Sequence, residues 1–203
     1  MADEKVPGAR FCLYDTVALD AVLDRMARAA FPLLAGAEDP VLLGILRRGA
    51  PLAEMLQAKL KANHGLDVPR YAMKLKRYGD DLTLLHPDTQ LTESVEFAAR
   101  DVSRATILIV DDVLYQGCSL ARMQAYLVTR GVPVIRAAVL ADRCCAVLPV
   151  KADVVGVYLQ VAPSDVVECN VPPYEDAFKI EVLRPDHAGS ALGNPAHQHI
   201  QRC

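Results

Sequence analysis

The sequence lacks any apolar run that approaches the roughly 20 residues a membrane-spanning helix needs. Each run is interrupted after a few residues by a charge, a glycine or a proline. The first ten residues, MADEKVPGAR, also lack the apolar core of about 7 to 15 residues that a secretory signal carries. We therefore expect no membrane segment and a cytoplasmic protein.

The sequence also lacks an excess of positive charge. It has 22 Lys and Arg against 25 Asp and Glu, which gives a net charge of -3. Proteins that cover nucleic acid usually carry a basic surface, because phosphate contacts supply most of their affinity. An RNA partner is disfavoured on this ground, although a local basic patch is compatible with the composition.

Cysteine pairs with metal-site or redox spacing are missing as well. The six cysteines form no C-x-x-C pair, and none groups with histidines at zinc-site spacing. Cys144 and Cys145 are adjacent, but neighbouring cysteines rarely form a disulfide because the backbone geometry opposes it. We interpret them as buried or idle thiols and predict no metal ion held directly by the protein.

What the sequence does contain is an alternation of apolar strands with amphipathic helices. A strand whose residues are apolar on both faces is typical of a parallel sheet covered on both sides. The predicted order is a helix at Asp15–Phe31, a strand at Val41–Leu46, a helix from Ala50, a strand at Thr106–Val110, a helix from Leu120 that Gly131 ends, and strands at Val134–Leu140 and Val154–Leu159.

The chain length of 203 residues favours a single domain, which we place at residues 1–183. Residues 78–103 have no sustained period and are predicted to form a long loop or a weak hairpin, with a flexible loop at about residues 76–104. Residues 184–203 combine three of the five histidines with glycine and proline and almost no apolar period. We expect a mobile C-terminal tail there.

The residues best suited to bind a ligand follow the strand at Thr106–Val110, beginning with Asp111 and Asp112. A short turn follows, and Gly117 and Ser119 come just before the next helix. A helix start offers backbone N–H groups and a positive dipole end, which suits a phosphate, and a glycine allows close backbone approach. Paired carboxylates can accept hydrogen bonds from sugar hydroxyls or hold a hydrated Mg²⁺. In open α/β sheets this edge is the usual ligand site.

These residues resemble a known family. Residues 107–120, ILIVDDVLYQGCSL, are similar to the signature of type I phosphoribosyltransferases for 5-phosphoribosyl-1-pyrophosphate (PRPP). The Asp-Asp-Val-Leu-Tyr form resembles the PyrR family, the pyrimidine-operon attenuators with uracil phosphoribosyltransferase activity. The likeness extends to Leu43–Ala53, Tyr78–Leu82, Ala138–Arg143, Leu148–Val150 and Ala152–Gly156, and so covers roughly residues 15–183. It implies a parallel β-sheet flanked by helices, Rossmann-like, with a small hood and a flexible loop.

The resemblance also implies roles. Asp111, Asp112 and Arg48 would be the catalytic residues, with the two acids on the ribose hydroxyls. Arg47, Arg48 and Gly49 would form the pyrophosphate loop. Mg²⁺ would arrive with PRPP, with Asp111 or Asp112 as a candidate to hold it through water. The 5′-phosphate would be cradled by Val113, Leu114, Tyr115, Gln116, Gly117, Cys118 and Ser119, and a loop carrying Lys74, Lys76, Arg77, Asp80 and Asp81 would close over the substrate. Homodimers or higher oligomers are usual in the family.

Simpler interpretations stand beside these roles. Arg47 and Arg48 also suit a surface turn between a strand and a helix, and the alternating Lys74 and Lys76 suit an exposed strand. Asp111 and Asp112 also suit a solvated turn after a strand.

One position bears on the choice of substrate, and two positions and one stretch depart from the family pattern. Purine-specific members carry an acid where this chain has Tyr115, which favours a pyrimidine acceptor such as uracil. Gln116 replaces the usual Thr, Cys118 replaces an Arg, and residues 144–147 replace a Gly-His-Arg-Glu stretch. We therefore weigh three hypotheses: an enzyme that joins PRPP to a pyrimidine, a regulatory PyrR-like sensor of PRPP or nucleotide with little or no catalysis, and an enzyme with an unidentified acceptor.

Overall fold

A computed structural model describes residues 7–75 and 91–186. In chain order its elements are β1 (Gly8–Tyr14), α1 (Thr16–Leu34), β2 (Asp39–Leu46), α2 (Gly49–His64), β3 (Arg70–Leu75), β4 (Leu91–Glu93), α3 (Val95–Ala98), β5 (Ala105–Leu114), α4 (Cys118–Thr129), β6 (Val134–Asp142), β7 (Val154–Tyr158), β8 (Val166–Asn170) and β9 (Lys179–Pro185).

The larger sheet has the strand order β4-β3-β2-β5-β6-β7. Strands β3, β2, β5, β6 and β7 are parallel, and only β4 at the edge runs antiparallel. Apolar residues point to both faces because alternate positions of a strand face opposite sides. On β2, Leu42 packs with α1 and α2, whereas Leu43 packs with α3 and α4. The predicted parallel α/β sheet flanked by helices is confirmed.

The strand order reverses direction between β2 and β5. From β2 the chain passes through α2 to β3 on one side, and from β5 it passes through α4 to β6 on the other. The crevice outside the carboxyl ends of β2 and β5 is therefore the switch point where ligands of open α/β sheets bind.

A second, antiparallel sheet has the order β1-β9-β8. It corresponds to the small hood that the family resemblance implied, although no period in the sequence had indicated β1, β8 or β9. The hood meets the larger sheet near the end of β5, where the Cys169 thiol donates to the Asp112 carbonyl oxygen at 3.8 Å.

Local signals explain most of the element boundaries. The Asp15 carboxylate accepts a hydrogen bond from the Ala18 N–H at 2.9 Å and caps α1, as its sequence position predicts. Gly65 and Gly131, with φ of 66° and 78°, follow the ends of α2 and α4.

Three boundaries differ from the sequence predictions. β5 continues through Leu114 because its pairing with β6 continues to Asp142, so Asp111 and Asp112 lie within a strand rather than after it. Within the predicted loop at residues 76–104, β4 pairs with β3 and the short helix α3 follows, whereas residues 76–90 lie outside the described residues. β9 includes Arg184 and Pro185, the first residues of the predicted tail, and residues 187–203 lie outside the described residues.

Candidate functional site

Two helices begin side by side at the switch-point crevice. α2 follows β2 with Arg48 as its N-cap, and α4 follows β5 with Gly117 as its N-cap. Neither cap residue offers a side-chain hydrogen bond to its helix. Because the first amides of a helix have no intrahelical partner and the dipole is positive there, each start suits an anion. The end of β5 thus lies between two candidate anion positions.

Glycines allow the backbone to pack closely at both positions. A Cβ on Gly49 would lie 2.4 Å from the Val110 carbonyl oxygen, so the segment 47–49 rests directly on β5. Gly117 has a φ of 89°, a conformation that side chains disfavour, and a Cβ there would lie 2.5 Å from a methyl group of Val150. The peptide bond between Leu46 and Arg47 is cis.

The two acids at the end of β5 differ in accessibility. Asp111 is 9% exposed, and its carboxylate accepts from the Asp112 N–H at 3.0 Å. Asp112 is half-buried, and its carboxylate accepts from the Val113 N–H at 2.9 Å. Burial raises the pKa of the Asp112 carboxyl, and the positive charge of Arg48 opposes that shift. Asp112 is therefore the more accessible of the two carboxyls, and its pKa responds to the charge of Arg48 in the 47–49 segment.

Two residues that the sequence analysis missed contact this segment from the hood. Glu175 accepts hydrogen bonds from Arg48 Nε, at 3.0 Å, and from Arg48 Nη2, and the Tyr174 ring lies 5.5 Å from the Arg47 guanidinium. Burial raises the pKa of Glu175, but its hydrogen bonds with Arg48 and Val171 outweigh that effect, and the net shift is downward. Nothing in the local sequence indicates these roles, because the partners are 127 residues apart.

The turn between β5 and α4 spans only Tyr115–Gly117, which corrects the predicted turn of residues 113–119. Val113 and Leu114 belong to β5, whereas Cys118 and Ser119 begin α4. The turn is braced from outside: the Val147 N–H donates to the Gln116 carbonyl at 3.1 Å, and the Arg143 guanidinium stacks 4.6 Å from the Tyr115 ring. The replaced stretch at residues 144–147 therefore contacts the candidate phosphate turn.

Cys144 and Cys145 flank this turn with free, exposed thiols, so the alternative of buried thiols is wrong. The Cys145 thiol donates to the Tyr115 carbonyl oxygen at 3.8 Å. Partial desolvation and the nearby negative charge of Asp142 raise the pKa of the Cys144 thiol, a direction that disfavours the reactive thiolate.

The structure brings together most of the predicted site residues. Gly49 packs against the backbone of Val110 and Asp111, Arg48 lies near Asp112, and Tyr115–Ser119 continue from the same end of β5. Lys74 is exposed on β3. Lys76, Arg77, Asp80 and Asp81 lie outside the described residues.

No helix within residues 7–75 and 91–186 is both long enough and apolar enough to cross a membrane. Over the same residues, no group of three or more His, Cys, Asp or Glu side chains is arranged to hold a metal ion.

Comparison with known proteins agrees with this geometry. The model of the phosphoribosyl transferase domain matches residues 13–177. The chain belongs to the phosphoribosyltransferase family. It is 36% identical over 168 residues to the "Bifunctional protein PyrR" of Deinococcus deserti, covering 80% of this chain and 90% of that protein. The protein of the same name from Acetivibrio thermocellus is 34% identical over 166 residues, covering 80% and 87%.

Solved structures show the same fold at low identity. A hypoxanthine phosphoribosyl transferase from Trypanosoma cruzi superposes with a TM-score of 0.68 at 20% identity, covering 90% of this chain and 95% of that one. A hypoxanthine-guanine phosphoribosyltransferase from Bacillus anthracis gives 0.64 at 15% identity, covering 88% and 99%. The predicted type I phosphoribosyltransferase fold and the likeness to PyrR are thereby confirmed, and the chain is a PRPP-binding pentosyltransferase.

Proposed function

We propose that this phosphoribosyltransferase holds PRPP between the starts of α2 and α4 and transfers its phosphoribosyl group to a pyrimidine, with uracil as the first candidate. Pyrophosphate is the other product. The observation that carries the proposal is the pair Asp111 and Asp112 at the end of β5, with a helix start on either side.

The geometry supports one orientation of the substrate. The start of α4 and the turn Tyr115–Gly117 receive the 5′-phosphate, and the carboxylates of Asp111 and Asp112 accept hydrogen bonds from the ribose hydroxyls. The pyrophosphate then lies toward the start of α2, beside Arg47 and Arg48.

Transfer in this arrangement needs positioning and charge rather than a covalent intermediate with the protein. As the bond from C1′ to pyrophosphate breaks, the leaving oxygen gains negative charge, and the Arg48 guanidinium and the α2 dipole stabilise it. Positive charge develops on the ribose beside Asp111 and Asp112. A base nitrogen held in line completes the transfer, and exclusion of water prevents hydrolysis.

The donor set fits a hydrated Mg²⁺ that binds mainly through the substrate. Mg²⁺ keeps several waters and commonly uses one or two carboxylates together with substrate phosphates. Asp111 or Asp112 would hold it through water, and the ion would neutralise charge on the pyrophosphate.

Two observations support a pyrimidine acceptor. Tyr115 stands where the resemblance places an acid in purine-specific enzymes, and the curated relatives carry the name PyrR. Tyr115 is 42% exposed, and its ring is held under Arg143 at the crevice edge.

The test measures pyrophosphate release from PRPP and Mg²⁺ with uracil, cytosine, hypoxanthine, guanine and orotate, each supplied alone. Isothermal titration with PRPP and Mg²⁺ separates binding from turnover. We expect PRPP binding and uracil-dependent release. Absence of PRPP binding would defeat the proposal, and turnover confined to a purine would defeat its acceptor assignment.

A second candidate is a regulatory protein that binds PRPP or a nucleotide but turns over little. Gln116 in place of Thr, and the replaced stretch that contacts it through Val147, favour this candidate. PRPP binding without turnover of any base would support it. Restored turnover in Gln116→Thr would show that the altered turn limits catalysis.

Three expectations stay predictions: that an RNA partner is disfavoured, that the protein forms a homodimer or higher oligomer, and that it is cytoplasmic. Filter binding at low and high salt tests RNA, since affinity that is negligible even at low salt excludes it. Light scattering measures the oligomeric state.

A further inference from the structure

The hood loop, residues 171–178 between β8 and β9, contacts both arginines of the segment 47–49. Glu175 Oε1 accepts from Nε and from Nη2 of Arg48. Tyr174 lies against the Arg47 guanidinium, 5.5 Å from ring centroid to carbon. Tyr174 and Glu175, which are consecutive in the hood loop, therefore contact Arg47 and Arg48, which are consecutive in the candidate pyrophosphate loop.

The hood loop that carries Glu175 is anchored at both of its ends. Val171 is fully buried and Phe178 is 6% exposed. The Thr16 hydroxyl donates to the Phe178 carbonyl at 2.9 Å, which ties the loop to the start of α1. The Tyr174 N–H donates to the Val171 carbonyl at 3.2 Å, which closes a turn within the loop.

The Glu175 carboxylate is itself held at both oxygens. Oε2 accepts from the Val171 N–H at 2.8 Å, whereas Oε1 faces Arg48. A carboxylate bound in this way has little freedom to follow a moving arginine. The arginine is instead fixed by the carboxylate.

Arg48 keeps capacity for a ligand while it contacts Glu175. A guanidinium has five N–H donors, and Glu175 receives one from Nε and one from Nη2. The same guanidinium is close enough to Asp112 for each group to shift the pKa of the other. Arg48 therefore lies between the hood and the carboxylates at the end of β5.

We propose that Glu175 is a positioning residue that holds the Arg48 guanidinium where the pyrophosphate group of PRPP binds. The role rests on the proposed function, because it assumes that PRPP occupies the crevice. Glu175 does not touch the substrate; it acts through Arg48.

A purely structural role is the simpler account of this ion pair, and a matched pair in the hood provides the control. Glu168 receives Arg10 Nε at 2.9 Å and Arg10 Nη2 at 3.2 Å, and these side chains are 28% and 23% exposed. Glu175 and Arg48 are 21% and 34% exposed. Both pairs join an arginine to a glutamate at similar burial, but only the second includes a residue of the 47–49 segment.

The experiment compares the wild type, Glu175→Gln, Glu175→Asp and Glu168→Gln by titration with two probes in the presence of Mg²⁺. PRPP carries the pyrophosphate, and ribose 5-phosphate lacks it. We expect Glu175→Gln to weaken PRPP binding by about tenfold, the size expected when a hydrogen bond to a charged group is lost. Its affinity for ribose 5-phosphate stays near the wild-type value, and Glu168→Gln changes neither affinity.

Each other result contradicts the role. Equal losses for both probes would mean that Glu175 supports the fold alone. Unchanged PRPP affinity would mean that it does not position Arg48, and tighter PRPP binding would mean that it competes with pyrophosphate. If Glu175→Gln does not fold by circular dichroism, Glu175→Asp gives the same comparison with the charge kept and the reach shortened. Failure of the wild type to bind either probe defeats the proposed function itself.

Discussion

Gly49 lies directly against Val110: a Cβ on Gly49 would come within 2.4 Å of the Val110 carbonyl oxygen and 3.2 Å of the Asp111 Cα. The obstructing atoms are backbone atoms in the centre of the sheet, so they cannot move aside without disturbing the pairing of β5 with β2 and β6. The segment 47–49 therefore lies close to the acids only because residue 49 has no side chain.

Gly49→Ala tests this contact. We expect the free energy of unfolding to fall by about 2 kcal/mol, as is usual when a well-packed interior is overfilled, and PRPP affinity to fall as the segment moves away from β5. Urea denaturation and titration measure the two effects. Gly36→Ala is the matched control, because nothing lies within 4 Å of a Cβ there. Equal stability changes in the two variants would contradict the close packing.

Gly117→Ala tests the turn before α4. Gly117 and Gly131 both have positive φ, 89° and 78°, but only Gly117 has a neighbour, a Val150 methyl group at 2.5 Å from the Cβ position. Gly131→Ala should therefore lower the free energy of unfolding by the conformational cost alone, about 1 kcal/mol. Gly117→Ala should lower it by more. Thermal denaturation measures the difference. A Gly117→Ala variant that is as stable as Gly131→Ala would show that the turn tolerates a side chain.

How much of the fold the sequence predicts depends on burial. β2 and β5 are buried on both faces, so their apolar runs are unmistakable, and α1 shows a clear helical period with its capping Asp15. The hood strand β1 has no buried residue, and the alternation of half-buried and exposed residues along GARFCLY breaks at Cys12. Its pairing with β9 joins distant parts of the chain, and no local pattern contains that information.

The residues of the candidate site also differ in how well the sequence predicts them. Asp111, Asp112 and Gly117 are close in sequence, so one short motif indicates them together. Glu175 acquires its position only when the hood loop folds over Arg48, and its local sequence resembles an ordinary polar turn. A contact of this kind, between residues far apart in the chain, cannot be predicted from the local sequence.

Asp111→Asn and Asp112→Asn test the ribose contacts. Each should weaken PRPP binding by about 1 to 3 kcal/mol, the usual contribution of a hydrogen bond to a charged group. Asp67→Asn is the control, because Asp67 is exposed and pairs only with the exposed Lys61 in the described contacts. Circular dichroism confirms that each variant folds. PRPP affinity that is unchanged in both site variants would contradict the assignment of the carboxylates to the ribose.

The two carboxyls that face Arg48 should affect stability with opposite dependence on pH. Burial raises the pKa of Asp112 in the folded protein. The stabilisation that follows from this shift is fully present below the ordinary carboxyl pKa of about 3.9, and it is lost as pH rises through the raised pKa. The pKa of Glu175 is lowered in the folded protein, with Arg48 and Val171 as hydrogen-bond partners. Its contribution is present above the ordinary glutamate pKa of about 4.3 and is lost as pH falls.

Urea denaturation of the wild type, Asp112→Asn and Glu175→Gln from about pH 3 to pH 8 measures these slopes. The wild-type free energy of unfolding minus that of Asp112→Asn should decrease as pH rises, because an ionised Asp112 is costly in its half-buried position. The same difference for Glu175→Gln should increase with pH, since ionised Glu175 is the form that binds Arg48. Slopes of the same sign would show that the two carboxyls do not experience the opposing environments described here. Because both variants keep the size of the side chain, a change in packing cannot produce opposite slopes.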